Sequence, residues 1–408
     1  MKFSVLLLLR PSKNAASKEC NWPMNNRLRY MARGLLPVIL SAAAVGFLLW
    51  NTDQDSPIMQ TIASVEDREA LLNIYNWADY IDPQILVDFE QEYGVEVNYD
   101  IYDSSEMVDA KLMTGRTGYD IVVHSSSFTG RFKDIDIFHT IDTRRLLNWH
   151  HLDPGLLKTI DNQFSRGLMG SPLYWGTSGI TYDVDQITAR MPDAPLDSAS
   201  MIFDPKVISK FADCGVSLLD DPLTVIPMAM MYLGHPANSV DLGHLAEVEQ
   251  LIKAIRPYIK YFSSTKMLLD LPSKEVCMAM TWSGDYVVAA GRATEAGIDL
   301  NLAYIIPKEG SVIWFDNINI PADAPHPDNA YLFADYMLRP EVVAKATNYI
   351  GYANANKSAM RFVTPSIAAD ASIYPNAQIL KRMQATEVLM PKLERRRSRT
   401  WTKIKTGL

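Results

Sequence analysis

The amino-acid sequence predicts an α/β protein with a parallel, mostly doubly wound sheet. The first observation is a βαβαβ alternation within residues 71–123, where short apolar runs alternate with amphipathic ones. The second is the length of 408 residues, of which 48% are hydrophobic, because such a chain can build two or more domains with their own cores. The third is a β-like run at 174–182, broken by Gly176 and Gly179, which indicates a strand that crosses between lobes.

The first unit of the alternation is a strand at 71–75 followed by a helix at 83–93. Asp82 is placed to cap this helix and Pro83 suits its first turn, because proline lacks the N–H that a first turn leaves unpaired. Gly94 follows in the position where helices commonly end. The next strand is predicted at 95–101, from its alternating apolar residues.

The remaining elements are assigned in the same way. A helix at 104–114 and a buried strand at 119–123 complete the alternation. The further strands are predicted at 174–182, 214–220, 276–280, 302–306, 312–316 and 318–321. The further helices are predicted at 224–233, 245–255 and 329–338, and around 377–390.

The first fifty residues differ from the rest of the chain. Arg27, Arg29 and Arg33 precede an apolar run at 34–50, the pattern of a secretory signal, and the small residues 41–44 suit cleavage. The run is also long enough for an uncleaved anchor, with the body exported; a buried core helix is a third interpretation. Residues 51–67 are expected to form a polar linker.

If residues 34–50 direct export, two further expectations follow, one about the start of translation and one about the cysteines. We expect translation to start at Met24 or Met31, because residues 1–23 fit neither a signal nor a fold. Three cysteines are too few for a disulfide scaffold, and no CxxC is present. Cys214 and Cys277 both lie in the exported part, so one bridge between them is possible.

The sequence argues against several classes of function. The net charge of −8 argues against a general nucleic-acid binder. No phosphate or dinucleotide cradle and no GxSxG elbow is present, so we expect no cofactor. The adjacent His150 and His151 point in different directions on a regular element, and we expect no metal there. The basic run at 392–399 is interpreted as a solvated helix face.

Aromatic and acidic residues follow the first strand. Trp77, Asp79 and Tyr80 lie where ligands dock in open α/β sheets, beyond the carboxyl end of a strand. Aromatic faces and a carboxylate together suit a cation. The alternative is that both rings belong to the core of the strand–helix junction. Ser125 follows the third strand at the same sheet edge, where it contacts a polar ligand or simply caps a helix.

The same pairing of ring and acid recurs along the chain. Asp79, Asp285 and Asp316 each stand within three residues of a tryptophan or a tyrosine. Two such acids are also what a glycosidase requires. The repeated association with aromatic residues favours capture of a cation over acid–base chemistry.

These stretches resemble one known family. Residues 74–81 closely resemble the opening of the periplasmic polyamine-binding proteins, the putrescine- and spermidine-binding components of ABC importers. Other segments resemble the family in the same order, from about residue 69 to the end, and the putrescine-binding branch is nearest. They are residues 118–125, 214–220, 282–285, 306–310, 314–316, 352–357 and 399–403.

The resemblance implies a two-lobed, type II periplasmic-binding-protein fold. Each lobe has a mostly parallel sheet flanked by helices, and two crossover segments form the hinge. The resemblance implies a signal peptide or membrane anchor plus linker at 1–66. Lobe 1 is then expected at 67–174 and 299–351, and lobe 2 at 175–298 and 352–408.

The resemblance also implies a ligand-binding set between the lobes, with rings stacking on the polyamine and acids at its amines. By position these residues are Trp77, Asp79, Tyr80, Ser125, Asp220, Trp282, Asp285, Trp314, Asp316 and Tyr352. Cys214 and Cys277 match positions that pair as a disulfide in putrescine-binding members.

The chain departs from the family at several ligand positions. Ala78 replaces a serine or threonine, Leu223 aligns with a glutamate of the putrescine branch, and Trp314 aligns with a phenylalanine of that branch. Ser127 is a further position where the ligand contacts are altered. The alternative for Leu223 is an alignment shifted by one residue, with the side chain packed in the helix at 224–233. The ligand set is therefore a mixture of the two branches.

The sequence thus predicts an exported, periplasmic solute-binding protein and not an enzyme. It is expected to capture putrescine, spermidine or a related diamine between two lobes and to deliver it to an inner-membrane ABC permease. We expect a monomer that binds no nucleic acid. The alternative is an anchored amine sensor with the same fold that signals through a partner protein; an enzyme of hydrolase type is a third and weaker interpretation.

Overall fold

The computed structural model describes residues 70–132, 135–161 and 168–407. The predicted signal or anchor at 34–50, the two candidate start positions and the linker at 51–67 all lie outside these residues. In the part of the chain that is described, no helix has the length and apolar character needed to cross a membrane.

The strands form one connected sheet system. In the described residues they are β1 (Leu71–Trp77), β2 (Glu96–Tyr102), β3 (Ile121–Ser125), β4 (Ser171–Asp183), β5 (Val216–Leu218), β6 (Tyr261–Phe262), β7 (Met278–Trp282), β8 (Leu302–Ile305), β9 (Ser311–Asn319), β10 (Ala353–Asn354) and β11 (Met383–Ala385).

Helices flank this sheet on both sides. They are α1 (Pro83–Tyr93), α2 (Ser105–Met113), α3 (Ser126–Gly130), α4 (Pro154–Asp161), α5 (Val184–Arg190), α6 (Ser200–Phe203), α7 (Pro205–Ile208), α8 (Pro222–Tyr232), α9 (Leu242–Ile255), α10 (Met267–Asp270), α11 (Asp285–Glu295), α12 (Pro327–Met337), α13 (Pro340–Ile350), α14 (Pro365–Ala368), α15 (Ala377–Leu380) and α16 (Pro391–Thr406). Short 3₁₀ turns lie at Thr143–Arg145, Leu147–His151, Ser209–Phe211, Arg256–Tyr258 and Lys357–Phe362.

The sheet has the order β2-β1-β3-β9-β4-β7-β5-β6. The pairs β1–β2 and β1–β3 are parallel, and so are β5–β6 and β5–β7. Between these two parallel groups lie β9 and β4, which pair antiparallel with their neighbours. Two parallel sheets joined by long crossover strands form two lobes, and the predicted fold class is confirmed. We call the half built on β1–β3 the first lobe and the half built on β5–β7 the second lobe.

The strand–helix junction of the first lobe forms as its sequence predicts. The Asp82 side chain accepts a hydrogen bond from the backbone N–H of Gln84, and Pro83 opens α1. Gly94 ends the helix with φ 66°, a conformation that suits glycine because it has no Cβ. Ile85 and Phe89 are fully buried on one face of this helix, so capping and burial fix where the preceding loop ends.

The second lobe has its own hydrophobic core. It contains the methionine-rich helix α8 and the strands β5 and β7. Cys214 and Cys277 are buried in it and form a disulfide, with their Cα atoms 5.5 Å apart. The pairing that the resemblance implied is confirmed.

One predicted helix is wrong. Around 377–390 the structure has only the short α15, followed by β11 and then by α16 from Pro391. The reason is tertiary: β11 pairs in parallel with β9, with Gln384 opposite Val312, and a segment that forms a ladder cannot remain helical. The two short strands predicted at 312–316 and 318–321 are replaced by the single strand β9, which ends at Asn319.

The predicted lobe boundaries stay a prediction. The packing of the carboxyl-terminal part is nevertheless informative, because it is shared between the lobes. Ala355, Ala359 and Val363 pack in the core of the first lobe. Trp401 and Ile404 of α16 pack in the core of the second lobe. The chain therefore returns to both lobes after β9.

Candidate functional site

A cleft lies between the two lobes, where the carboxyl ends of β1, β3 and β7 converge on the middle of β9. The space inside it, including its open mouth, is about 780 Å³. Nine of the ten predicted ligand-binding residues line it, and so do the three altered positions. The lining residues are Trp77, Ala78, Asp79, Tyr80, Ser105, His124, Ser125, Ser127, Asp221, Leu223, Thr224, Ser264, Thr265, Leu268, Trp282, Asp285, Val288, Val312, Trp314, Asp316, Tyr352 and Thr386.

Two buried carboxylates, each bonded to a tyrosine, form one end of the cleft. The Tyr80 hydroxyl donates a hydrogen bond of 2.8 Å to Asp316 Oδ2. The Tyr352 hydroxyl donates to Asp285 Oδ1, and the backbone N–H of Trp282 donates to Asp285 Oδ2 at 3.0 Å. Each carboxylate is thus oriented by a tyrosine from a distant part of the chain, and Asp285 also by the nearby Trp282 N–H.

Aromatic rings pack around these acids. The rings of Tyr80 and Tyr352 meet edge to face at a centroid distance of 5.2 Å, and Trp314 meets Tyr352 in the same way at 5.3 Å. We call Tyr80, Trp314 and Tyr352, with Asp285 and Asp316, the aromatic–acid box. Rings offer a negative face to a cation, so the box supplies both kinds of attraction that an ammonium group requires.

Burial makes the charged form of these acids costly. Desolvation raises the pKa of Asp285 to about 7, although its hydrogen bonds oppose the rise. Desolvation likewise raises the pKa of Asp316 to about 7, and the charge of Asp221 adds to the effect. A cation placed between the two carboxylates would stabilise their charged form. Binding of a cation in the cleft would therefore favour ionisation of Asp285 and Asp316.

Two tryptophans also line the cleft. The Trp77 and Trp282 rings lie 5.7 Å apart between centroids, one from each lobe. Trp282 packs against the hydrophobic cores of both lobes. Trp77 packs on Tyr102 and also lines the cleft. Its surroundings therefore fit both interpretations of this residue, a ring that contacts the ligand and a ring of the core.

Asp79 lines the mouth of the cleft with its carboxylate already paired. Its Oδ2 atom lies 3.0 Å from Nη2 of Arg292, on helix α11. The residue adopts a positive φ of 56°, which turns its side chain out of the strand direction. Its side chain remains 48% exposed, so both solvent and the guanidinium group interact with the carboxylate.

Ser125, the last residue of β3, has both of the roles considered for it. Ser125 Oγ accepts from the Phe128 backbone N–H at 3.2 Å as the N-cap of α3, and it also lines the cleft. Its Oγ lies 3.2 Å from Ser127 Oγ. Ala78 lines the cleft without offering a polar group.

Asp220 does not line the cleft. Its carboxylate accepts hydrogen bonds from Trp401 Nε1 at 2.9 Å and from Lys405 Nζ at 2.7 Å, which ties α16 to the strand β5 region. Its neighbour Asp221 lines the cleft instead, as the N-cap of α8. Desolvation raises the pKa of Asp221 to about 6.

Leu223 and Thr224 both face the cleft from the first turn of α8. The Thr224 hydroxyl donates to Asp221 Oδ2 at 2.6 Å and lies 3.4 Å from Trp282 Nε1. Leu223 is half-buried, and its backbone carbonyl accepts from Thr386 Oγ1 at 3.2 Å. Neither of these two positions carries an acid, so this end of the cleft lacks the glutamate that the resemblance implied.

Sequence reasoning missed two of the charged residues. A signal for Asp221 was available, because a helix that opens at Pro222 takes its N-cap from the residue directly before it. A weaker signal existed for Arg292, which follows Asp285 by two helical turns and so shares its face of α11. The hydroxyl and aliphatic residues of the lining, such as Thr265 and Leu268, gave no sequence signal that separates them from core residues.

The fold and the cleft define a class of protein. Two lobes that enclose an aromatic, acid-lined cleft form a binding protein for a small cationic solute. Among the described residues, no group of histidine, cysteine and acidic side chains is arranged to hold a metal ion.

Comparison with known proteins identifies the family. Residues 84–375 match the family model of bacterial extracellular solute-binding proteins, and the chain belongs to this family. It is 39% identical over 349 residues to the putrescine-binding periplasmic protein PotF of Escherichia coli, covering 85% of this chain and 94% of that protein. It is 38% identical over 338 residues to the putrescine-binding periplasmic protein SpuD of Pseudomonas aeruginosa, covering 83% and 92%.

A solved structure gives the same result. The putative spermidine/putrescine ABC transporter protein of Listeria monocytogenes superposes with a TM-score of 0.74 at 29% identity, covering 83% of this chain and 100% of that one. The resemblance to the polyamine-binding proteins is therefore confirmed. The relatives are solute-binding proteins of transport systems, which agrees with the prediction that the chain is not an enzyme.

Proposed function

We propose that this protein is an exported solute-binding protein that captures a polyamine between its lobes and delivers it to an ABC permease of the inner membrane. The observation that carries the proposal is the aromatic–acid box. It holds two carboxylates that are at least nine-tenths buried, Asp285 and Asp316, surrounded by Tyr80, Trp314 and Tyr352.

The box recognises an ammonium group through charge, shape and desolvation together. The carboxylates accept charge-assisted hydrogen bonds from the ammonium, and the rings cover its methylene chain. Because the tyrosine hydroxyls already orient the carboxylates, the ligand spends little free energy on ordering the site. An uncharged solute gives these buried acids no compensation and binds poorly.

Closure of the lobes would complete the capture. Trp77 comes from the first lobe and Trp282 joins the second, and their rings meet across the cleft. Asp79 and Arg292 form an ion pair from opposite lobes at its mouth. A ligand that bridges the lobes favours this arrangement over an open one, which is how binding would be reported to a permease.

The comparisons support delivery to a transporter. The relatives in E. coli and P. aeruginosa are putrescine-binding periplasmic proteins, and the related structure is that of a spermidine/putrescine ABC transporter protein. They give no support to the alternative of an anchored amine sensor. Periplasmic location of this chain follows the same relatives, with residues 34–50 as the proposed export signal or anchor.

Calorimetry on the purified protein tests the proposal. We expect putrescine, cadaverine, spermidine or agmatine to bind at one site per chain, and Asp285→Asn with Asp316→Asn to remove that binding. Asp220→Asn is the matched control, because it removes an acid near the cleft that does not line it. Full binding by the double variant, or no binding of any amine by the wild type, would refute the proposal.

A further inference from the structure

A second cavity adjoins the ligand cleft on the far side of Leu223. Its space, including its open mouth, is about 570 Å³, and it lies between α2 of the first lobe and the helices α8 and α16. Two residues, Ser105 and Leu223, line both the cleft and this second cavity. They therefore form the wall that separates the two spaces.

Leu223 is the part of this wall that projects from the second lobe, and its backbone is fixed on both sides. Its N–H donates to Asp221 Oδ1 at 3.1 Å, and its carbonyl accepts from Thr386 Oγ1 at 3.2 Å. With the backbone held in this way, the position of the wall depends on the size of the side chain. The wall residue from the first lobe, Ser105, is small and buried at the start of α2.

The second cavity has an acidic excess. Its charged lining residues are Glu106, Asp109, Arg131, Glu394 and Arg397. The three carboxylates outnumber the two guanidinium groups, of which that of Arg131 lies 3.8 Å from Asp109. Arg397 is buried and its Nη2 donates to the Ser239 carbonyl at 3.2 Å.

We infer that Leu223 sets the length limit of the ligand. The inference rests on the proposed function and adds a substrate class to it: short amines, whose charged groups fit between the aromatic–acid box and Leu223. A longer polyamine carries a further ammonium group, which meets the apolar Leu223 side chain where the cleft adjoins the second cavity. Placing that charge against the Leu223 side chain is unfavourable because this side chain has no hydrogen-bond acceptor to replace the lost hydration.

Removal of the wall has a definite consequence. A smaller residue at 223 joins the two spaces, and the additional ammonium then reaches the carboxylates of the second cavity. A charge-assisted hydrogen bond gained in this way corresponds to an affinity increase of roughly 10- to 100-fold for the longer amine. Putrescine, which does not reach the second cavity, gains nothing from the change.

Calorimetric titration of the full chain with putrescine and with spermidine tests the inference. We expect the wild type to prefer putrescine, and Leu223→Ala to tighten spermidine binding about tenfold relative to putrescine. Leu223→Ser is a second variant with the same expected direction, in case the alanine variant folds poorly. Leu268→Ala is the matched control, because Leu268 lines the cleft but not the second cavity.

The control is expected to change both affinities together and to leave their ratio as in the wild type. Adding Glu106→Gln to the Leu223→Ala variant should reduce the gain for spermidine. A spermidine-to-putrescine ratio that both Leu223 variants share with the wild type would overturn the inference while the proposed function stands. A wild type that binds no amine would overturn the proposed function, and the inference with it.

Discussion

Asp79 and Arg292 form an ion pair, 3.0 Å between Oδ2 and Nη2, that joins the loop after β1 to helix α11. The two residues lie far apart in the sequence and belong to opposite lobes. Both side chains are partly exposed, Arg292 at 28% and Asp79 at 48%. The pair is therefore placed to influence how readily the lobes separate, and solvent weakens it.

The first prediction concerns this pair. We expect Arg292→Gln to weaken amine binding by at most about fivefold, because exposed ion pairs contribute about 0.2–1 kcal/mol. The loss should appear mainly as faster ligand dissociation, measured by stopped-flow fluorescence, and should shrink at high salt. Arg190→Gln is the control, since Arg190 pairs with Asp213 on the surface of the second lobe alone. Equal dissociation rates in the wild type and Arg292→Gln would show that the pair does not restrain the lobes.

The second prediction concerns pH. Burial raises the pKa of Asp221 to about 6 and that of Asp285 and Asp316 to about 7. A cationic amine requires their ionised forms, so binding releases protons and affinity rises from about pH 5 to about pH 8. Calorimetry in buffers of different ionisation enthalpy measures this release. An affinity that is constant over that range would contradict the assignment of these acids to the amine.

The same groups predict the stability of the empty protein. A carboxyl group whose folded-state pKa is raised stabilises the fold below its unfolded pKa, and this contribution is lost as the pH rises through the folded value. The Tm of the ligand-free protein should therefore fall between about pH 5 and about pH 8. Asp285→Asn cannot titrate, so its Tm should fall less over the same range. Added amine should raise the Tm more at the higher pH.

The third prediction concerns Trp282, the last residue of β7, and Asp285, the first residue of α11. We expect Trp282→Ala and Asp285→Ala each to abolish or greatly weaken amine binding, because one removes the ring that faces Trp77 and the other a carboxylate of the box. Thermal unfolding checks that both variants remain folded. Near-normal affinity in both variants would show that the amine does not bind at this end of the cleft.

Much of this arrangement could be predicted from the sequence because its determinants are local. Asp82 and Pro83 specify where α1 begins, and Trp77 and Tyr80, which precede them, must therefore lie at the end of β1 and in the loop that follows it. The recurrence of an acid near a ring brought Asp285 and Asp316 into the same prediction, and the structure places both in one box.

The remaining features depend on contacts between distant parts of the chain. No local pattern shows that Arg292 reaches Asp79, or that β11 pairs with β9 and so interrupts the helix predicted around 377–390. The placement of Asp220 outside the cleft depends on Trp401 and Lys405, which arrive with the last helix. Such contacts are set by tertiary packing, on which the local sequence carries little information.

The last prediction returns to Leu223, which lines the cleft where the resemblance implied a glutamate. We expect Leu223→Glu to tighten binding of putrescine or spermidine by roughly 10- to 100-fold, since a charge-assisted hydrogen bond contributes about 1.5–3 kcal/mol. The new acid would lie in the first turn of α8, where negative charge is favourable, so the Tm should not fall. Leu223→Gln is the matched control, because it has the same shape as the glutamate without its charge. A Leu223→Glu variant that melts like the wild type and gains no affinity over Leu223→Gln would show that the amine does not reach this residue.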